Sequence, residues 1–66
     1  MEICVNGSTK DYAAPLAVSD LLRHMALIGK KVAVERNGEI VPRSAHGSTQ
    51  LAHGDRLEIV AAVGGG

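Results

Sequence analysis

Two Asn-Gly pairs, Asn6-Gly7 and Asn37-Gly38, each stand between short runs in which apolar and polar residues alternate. Asn and Gly tolerate the positive φ that a two-residue hairpin turn requires, so each pair predicts two antiparallel strands. Before the first pair, Met1, Ile3 and Val5 alternate with Glu2, Cys4 and Asn6, the period of a half-buried strand. After Asn6-Gly7-Ser8, residues 9–12 make the short return strand. Around the second pair, Val32 and Val34 alternate with Ala33 and Glu35, and Glu39-Ile40-Val41 returns as far as Pro42, which has no N–H to give a ladder.

A helix is expected between the hairpins. Residues 13–17 contain Pro15 and read as a connection. Ser19 is a good N-cap, and Asp20 behind it puts negative charge at the positive end of the helix dipole. Leu21, Met25 and Ile28 fall at i, i+4 and i+7 with Leu22 beside them, one apolar stripe for the core. Gly29 is the expected stop, with Lys30 and Lys31 at the carboxyl end. Residues 43–49 are small and polar, a loop or a short helical turn, and Leu51 is expected to plug the core beneath them. His53-Gly54-Asp55 turns the chain into a last strand, residues 56–60, with Leu57 and Ile59 on one face and Arg56 and Glu58 on the other. The order hairpin, helix, hairpin, strand implies an α+β fold with one helix packed across a mixed sheet.

Sixty-six residues allow one domain, and a chain this short buries only about 60% of the surface its unfolded form exposes. The core is aliphatic, since Tyr12 is the one aromatic residue. Seven basic residues balance seven acidic ones, so net charge gives no footprint for nucleic acid or an anionic membrane. No apolar run approaches the ~18 residues of a membrane span. Cys4 is a lone cysteine, which removes internal disulfides and Cys-rich zinc motifs and fits a reducing compartment. The start Met1-Glu2-Ile3-Cys4-Val5 lacks a basic segment followed by an apolar one, so no signal peptide is expected and the cytoplasm is the expected location.

The end of the sequence carries the chemistry. Gly64-Gly65-Gly66 follows Ala61-Ala62-Val63, and at average usage three successive glycines arise by chance only about three times in ten thousand. A glycine-only segment can enter a channel closed to side chains, and from Val63 it would reach about 10 Å when extended. We therefore expect a globular domain over residues 1–63 and a flexible tail over residues 64–66, with Gly64 and Gly65 threading and the Gly66 carboxylate reacting. An α-carboxyl, with a reference pKa of about 3.3–3.7, is ionised at neutral pH and can attack phosphorus. It is a poor electrophile until activated, for example as an acyl-adenylate. Val60, Ala62 and Val63 are candidates for an apolar docking patch beside the tail, and Arg43 and Arg56 for contacts with an acidic groove.

Other chemistry finds no pattern. His24, His46 and His53 with Cys4 match no metal-ligand spacing. Ser44, His46 and Asp55 lack a nucleophile elbow, Cys4 lacks an adjacent base, and Gly47-Ser48-Thr49 lacks the lysine of a phosphate loop. Met25 reads as core.

The runs Asn37-Gly38-Glu39-Ile40-Val41-Pro42-Arg43 and Gly54-Asp55-Arg56-Leu57-Glu58-Ile59-Val60, with terminal Gly65-Gly66, resemble ThiS, the thiamine-biosynthesis sulfur carrier family of ubiquitin-like β-grasp proteins. Cys4, where a bulky apolar residue is expected, and His53, where an acidic residue often precedes Gly-Asp, are the departures. The resemblance implies adenylation of Gly66 by an E1-like, ThiF-type enzyme that uses ATP. It further implies conversion to a thiocarboxylate with sulfur originating from a cysteine desulfurase, and a ThiG-type thiazole synthase as acceptor. The chain would be a cosubstrate rather than an enzyme and would hold no cofactor. The same tail would serve a carrier for molybdopterin synthesis or tRNA thiolation, or a conjugation tag; in a plain β-grasp binding module the glycines would do nothing.

Overall fold

The computed structural model describes residues 1–61, so the expected tail and the domain boundary at residue 63 lie outside the described residues. The elements are β1 (Glu2–Val5), β2 (Ser8–Asp11), α1 (Val18–His24), β3 (Val32–Arg36), β4 (Glu39–Val41), a 3-10 turn (Arg43–Ala45) and β5 (Arg56–Ala61). Both Asn-Gly pairs form the expected turns. Asn6 and Gly7 have φ of 50° and 85°, and Asn37 and Gly38 have 51° and 86°, the two positive values that match the twist of the flanking strands.

The five strands form one mixed sheet in the order β2-β1-β5-β3-β4. β5 lies in its middle, parallel to β1 through Cys4↔Arg56 and Val5↔Leu57, and antiparallel to β3 from Val32↔Ala61 to Arg36↔Leu57. Alternation along each strand sends Ile3, Val5, Val34, Val41, Leu57 and Ile59 to one face, where they bury against Val18, Leu21 and Leu22 of α1 together with Leu16 and Leu51. The α+β architecture read from the sequence is the one found.

The helix differs from expectation at both ends. Its N-cap is Ala17, not Ser19. Val18 is fully buried, which draws the first turn two residues earlier. The orphan N–H groups there find partners in a distant loop: Val18 N donates to the Thr49 carbonyl at 3.0 Å and Ser19 N to the His46 carbonyl at 2.9 Å. Asp20, three residues past the cap, accepts the Ala17 N–H at 2.9 Å, the returning half of a capping box.

At the other end α1 stops at His24 rather than running to Gly29. Ala26 N donates to Arg23 O and Leu27 N to Leu22 O, the double closure of a Schellman motif with Ala26 at φ 59° in the left-handed position. The expected stripe is therefore cut. Leu21 is buried and Met25 half-buried, while Ile28 is 50% exposed beyond the helix.

Alanine at that position is strained, since its Cβ costs roughly 1–2 kcal/mol in left-handed backbone. Ala26→Gly relieves the clash while increasing the freedom of the unfolded chain. A net gain of about 0.5–1 kcal/mol is expected, read as a higher midpoint in urea unfolding; an unchanged or lower midpoint would contradict the left-handed assignment.

Candidate functional site at the end of the central strand

β5 is the last element among the described residues, so what fixes β5 fixes where the following residues begin. β1 ends at Val5, paired with Leu57, while β5 runs on to Ala61. The Asn6 side chain continues the pairing in place of backbone: its Nδ2 donates to Ile59 O at 3.0 Å, and Ile59 N donates to its Oδ1 at 2.8 Å. On the opposite edge β3 stays paired as far as Val32↔Ala61.

A second latch holds the start of β5. Asn37 Oδ1 accepts the Arg56 N–H at 2.9 Å, and Asn37 Nδ2 donates to Asp55 Oδ1 at 3.0 Å. Asp55 is buried; its Oδ2 accepts from Arg36 Nε at 2.8 Å and from Ala52 N at 2.8 Å. Burial pushes the Asp55 carboxyl up, but the Ala52 N–H, the Asn37 amide and the Arg36 guanidinium together outweigh it and hold the group below the usual carboxylate range. The sequence pattern marks Asn6, Asn37 and Asp55 as turn residues and gives Asp55 no catalytic role. Their partners are far along the chain, and the one available signal was that Asn and Asp side chains can satisfy backbone groups at strand ends.

The residues singled out from the sequence lie at different distances from the C-terminal end of β5. Val60 lies on the outer sheet face and is 63% exposed. Arg56 is on that face toward the other end of β5, beside Cys4 in register. Arg43 is exposed in the 3-10 turn and lines a groove of about 290 Å³ with Lys30, Ile28 and Val32; Val32 is the register partner of Ala61, so this groove adjoins the exit. Ala62, Val63, Gly64, Gly65 and Gly66 lie outside the described residues. Among the described residues the ion pairs are Arg23–Asp20 and Arg36–Asp55, so neither Arg43 nor Arg56 is engaged in one.

The three histidines serve separate local contacts. His53 Nδ1 accepts the Glu2 N–H at 2.9 Å. His46 is buried with Nε2 at 3.2 Å from Val41 O, and because a carbonyl only accepts, that nitrogen carries the proton. His24 stacks at a tilt on Tyr12 with ring centroids 5.6 Å apart. Among the described residues no three His, Cys, Asp or Glu side chains gather closely enough to hold a metal ion.

This arrangement places the C-terminal end of β5 beside an exposed sheet face. A model of the ThiS family matches residues 3–66. The chain belongs to that family. A crystal structure of the ThiS thiamine biosynthesis protein from Geobacter metallireducens superposes with a TM-score of 0.84 at 35% identity, covering 100% of both chains. The sulfur carrier protein ThiS of Bacillus subtilis is 43% identical over 49 residues, 74% of each protein. A thiazole synthase of Paramagnetospirillum magneticum is 44% identical across all 66 residues, and the chain spans 20% of its length. A second thiazole synthase, from Magnetococcus marinus, is likewise matched over 20% of its length. The β-grasp fold expected from the ThiS resemblance is thus the fold observed. Among the described residues no helix is long and apolar enough to cross a membrane.

Two outcomes test the latches. Asn6→Gly keeps the turn geometry and removes both bonds to Ile59, and is expected to lower stability by about 1–2 kcal/mol; full retention of stability would show the latch to be idle. For Asp55, the sign follows from its depressed folded-state pKa. Its contribution is present above the unfolded value of about 3.9 and is lost as pH falls from there toward the folded one. Asp55→Asn is therefore expected to lose about 2 kcal/mol at pH 7 and to show a shallower loss of stability between neutral and acid pH than the wild type. Parallel acid profiles for the two proteins would contradict it.

Proposed function

We propose that this chain is a sulfur carrier for thiazole formation in thiamine biosynthesis, with the Gly66 carboxylate as the reacting group. The observation that supports it most directly is a glycine-ended sequence joined to the central strand of a ThiS-family domain.

In this reading an E1-like, ThiF-type enzyme supplies ATP and the catalytic groups. A carboxylate oxygen of Gly66 attacks the α-phosphorus, pyrophosphate leaves, and the acyl-adenylate makes the carbonyl carbon electrophilic. A persulfide sulfur, drawn from a cysteine desulfurase, displaces AMP, and thiol cleavage of the resulting disulfide leaves the thiocarboxylate. A ThiG-type thiazole synthase then takes the sulfur. Gly64 and Gly65 have no Cβ to obstruct either enzyme's channel, while Val60, Ala62 and Val63, with Arg43 and Arg56, meet the partner around its mouth.

The chain itself acts as a cosubstrate without bound cofactor, metal or nucleic acid. Its lone thiol and its need of an ATP-using partner favour the cytoplasm.

Incubation with the activating enzyme, ATP and a sulfur donor is expected to replace one terminal oxygen by sulfur in the intact-protein mass, and a variant lacking Gly65 and Gly66 is expected to remain unmodified with its melting temperature retained. An unmodified wild-type chain beside a demonstrably active partner would end the carrier reading; adducts on lysines of other proteins would replace it with a conjugation tag.

A further inference from the structure

The register of β3 against β5 puts two carboxylates side by side. Glu35 pairs directly with Glu58, both exposed on the sheet face away from α1. Directly opposite residues have Cβ atoms only about 4.5–5.5 Å apart, and like charges so placed destabilise a sheet. Among the described residues the basic groups in ion pairs engage Asp20 and Asp55 instead. Arg56, two residues before Glu58 on the same face, is not within ion-pair distance of either glutamate.

Toward β4 and the C-terminal end of β5 the surroundings of the pair are apolar. Ile40 stands opposite Glu35 on β4 and is 65% exposed. The next row toward the exit of β5 holds Val60 paired with Ala33, both exposed, with exposed Pro42 just past the end of β4. The result is two carboxylates without an ion pair among the described residues, bordered on one side by an apolar shelf near the C-terminal end of β5.

We propose that this face docks the thiazole synthase, through a synthase surface that places an arginine or lysine between Glu35 and Glu58 and apolar side chains over Ile40, Ala33 and Val60. The inference rests on the carrier reading above. A cation at that point is attracted by both carboxylates and relieves their mutual repulsion, so the pair contributes more to the complex than either glutamate alone, and steers association most strongly at low salt. The synthase is chosen as occupant because two proteins named thiazole synthase each contain a counterpart of this whole chain in 20% of their length, which puts a domain like this one on the same polypeptide as the rest of such a protein.

The test measures binding of the purified cognate thiazole synthase to the full chain by biolayer interferometry, alongside thermal unfolding of each variant. E35Q/E58Q is expected to bind several-fold more weakly yet melt at a higher temperature, because neutralisation removes the repulsion. E35K/E58K is expected to bind roughly tenfold or more weakly, mainly through slower association, and to lose the wild type's decline with added salt. A purely structural role for the glutamates would move stability and binding in the same direction. Wild-type affinity in E35K/E58K, a wild type that does not bind the synthase, or an effect confined to the activating enzyme would each overturn the proposal. If the wild type still acquires its thiocarboxylate in any of these cases, the carrier reading survives and only the docking face falls.

Discussion

β5 is paired on both edges, to β1 at one side and β3 at the other, and the rest of the fold follows from that. The pairing Cys4↔Arg56 joins the two ends of the sequence, so nearly the whole chain must be ordered before the sheet is complete. Closing so long a loop costs entropy that only non-local contacts can offset. Leu57 and Ile59, buried against α1, each contribute about 1.5–3 kcal/mol toward it. The helix has seven residues, too few to persist alone, and its first N–H groups depend on carbonyls from the loop that leads back toward β5.

The same placement bears on the proposed chemistry. A strand at a sheet edge can peel away by breaking one ladder, whereas β5 would have to break two. Force or geometry applied to the residues beyond Ala61 is therefore resisted by the whole sheet, and a partner can draw in the chain end without dragging open the core. The latches at Ile59 and Arg56 extend that resistance to positions where backbone pairing has already run out on one side.

What was legible in the sequence, and what was not, divides along the range of the interactions involved. The hairpins depend on residues adjacent in the chain, and Asn-Gly between alternating runs located both. The faces of β5 were equally plain, since period two needs no partner to be read. The helix ends failed because tertiary contacts set them: a buried Val18 and a remote loop made a cap at Ala17 sufficient, and Ser19 was not needed for it. Ala26 carries no trace of its left-handed backbone, so Ile28 looked like a third core contact when it lies outside the helix. Strand order, the Asp55 cluster and the opposition of Glu35 to Glu58 all join residues many positions apart, and no local pattern encodes them. The runs around Asn37 and Gly54 supplied the fold through family likeness, but elementary physics alone left the sulfur acceptor open.

Asn6 and Asn37 show how tightly one residue can be specified by two demands at once. Each must take φ near 50°, which admits glycine, asparagine and aspartate and disfavours most others. Each must also offer a donor and an acceptor on one short side chain: Asn6 to the Ile59 carbonyl and N–H, Asn37 to the Asp55 carboxylate and the Arg56 N–H. Glycine meets the first demand and fails the second. Aspartate reaches the same atoms but has nothing to donate when ionised, and at residue 37 it would set a second carboxylate against Asp55. Glutamine carries both groups on a longer chain that suits neither the turn nor the distance. Asparagine alone satisfies both, so the residues that make the hairpins possible also fasten them to the central strand of the sheet.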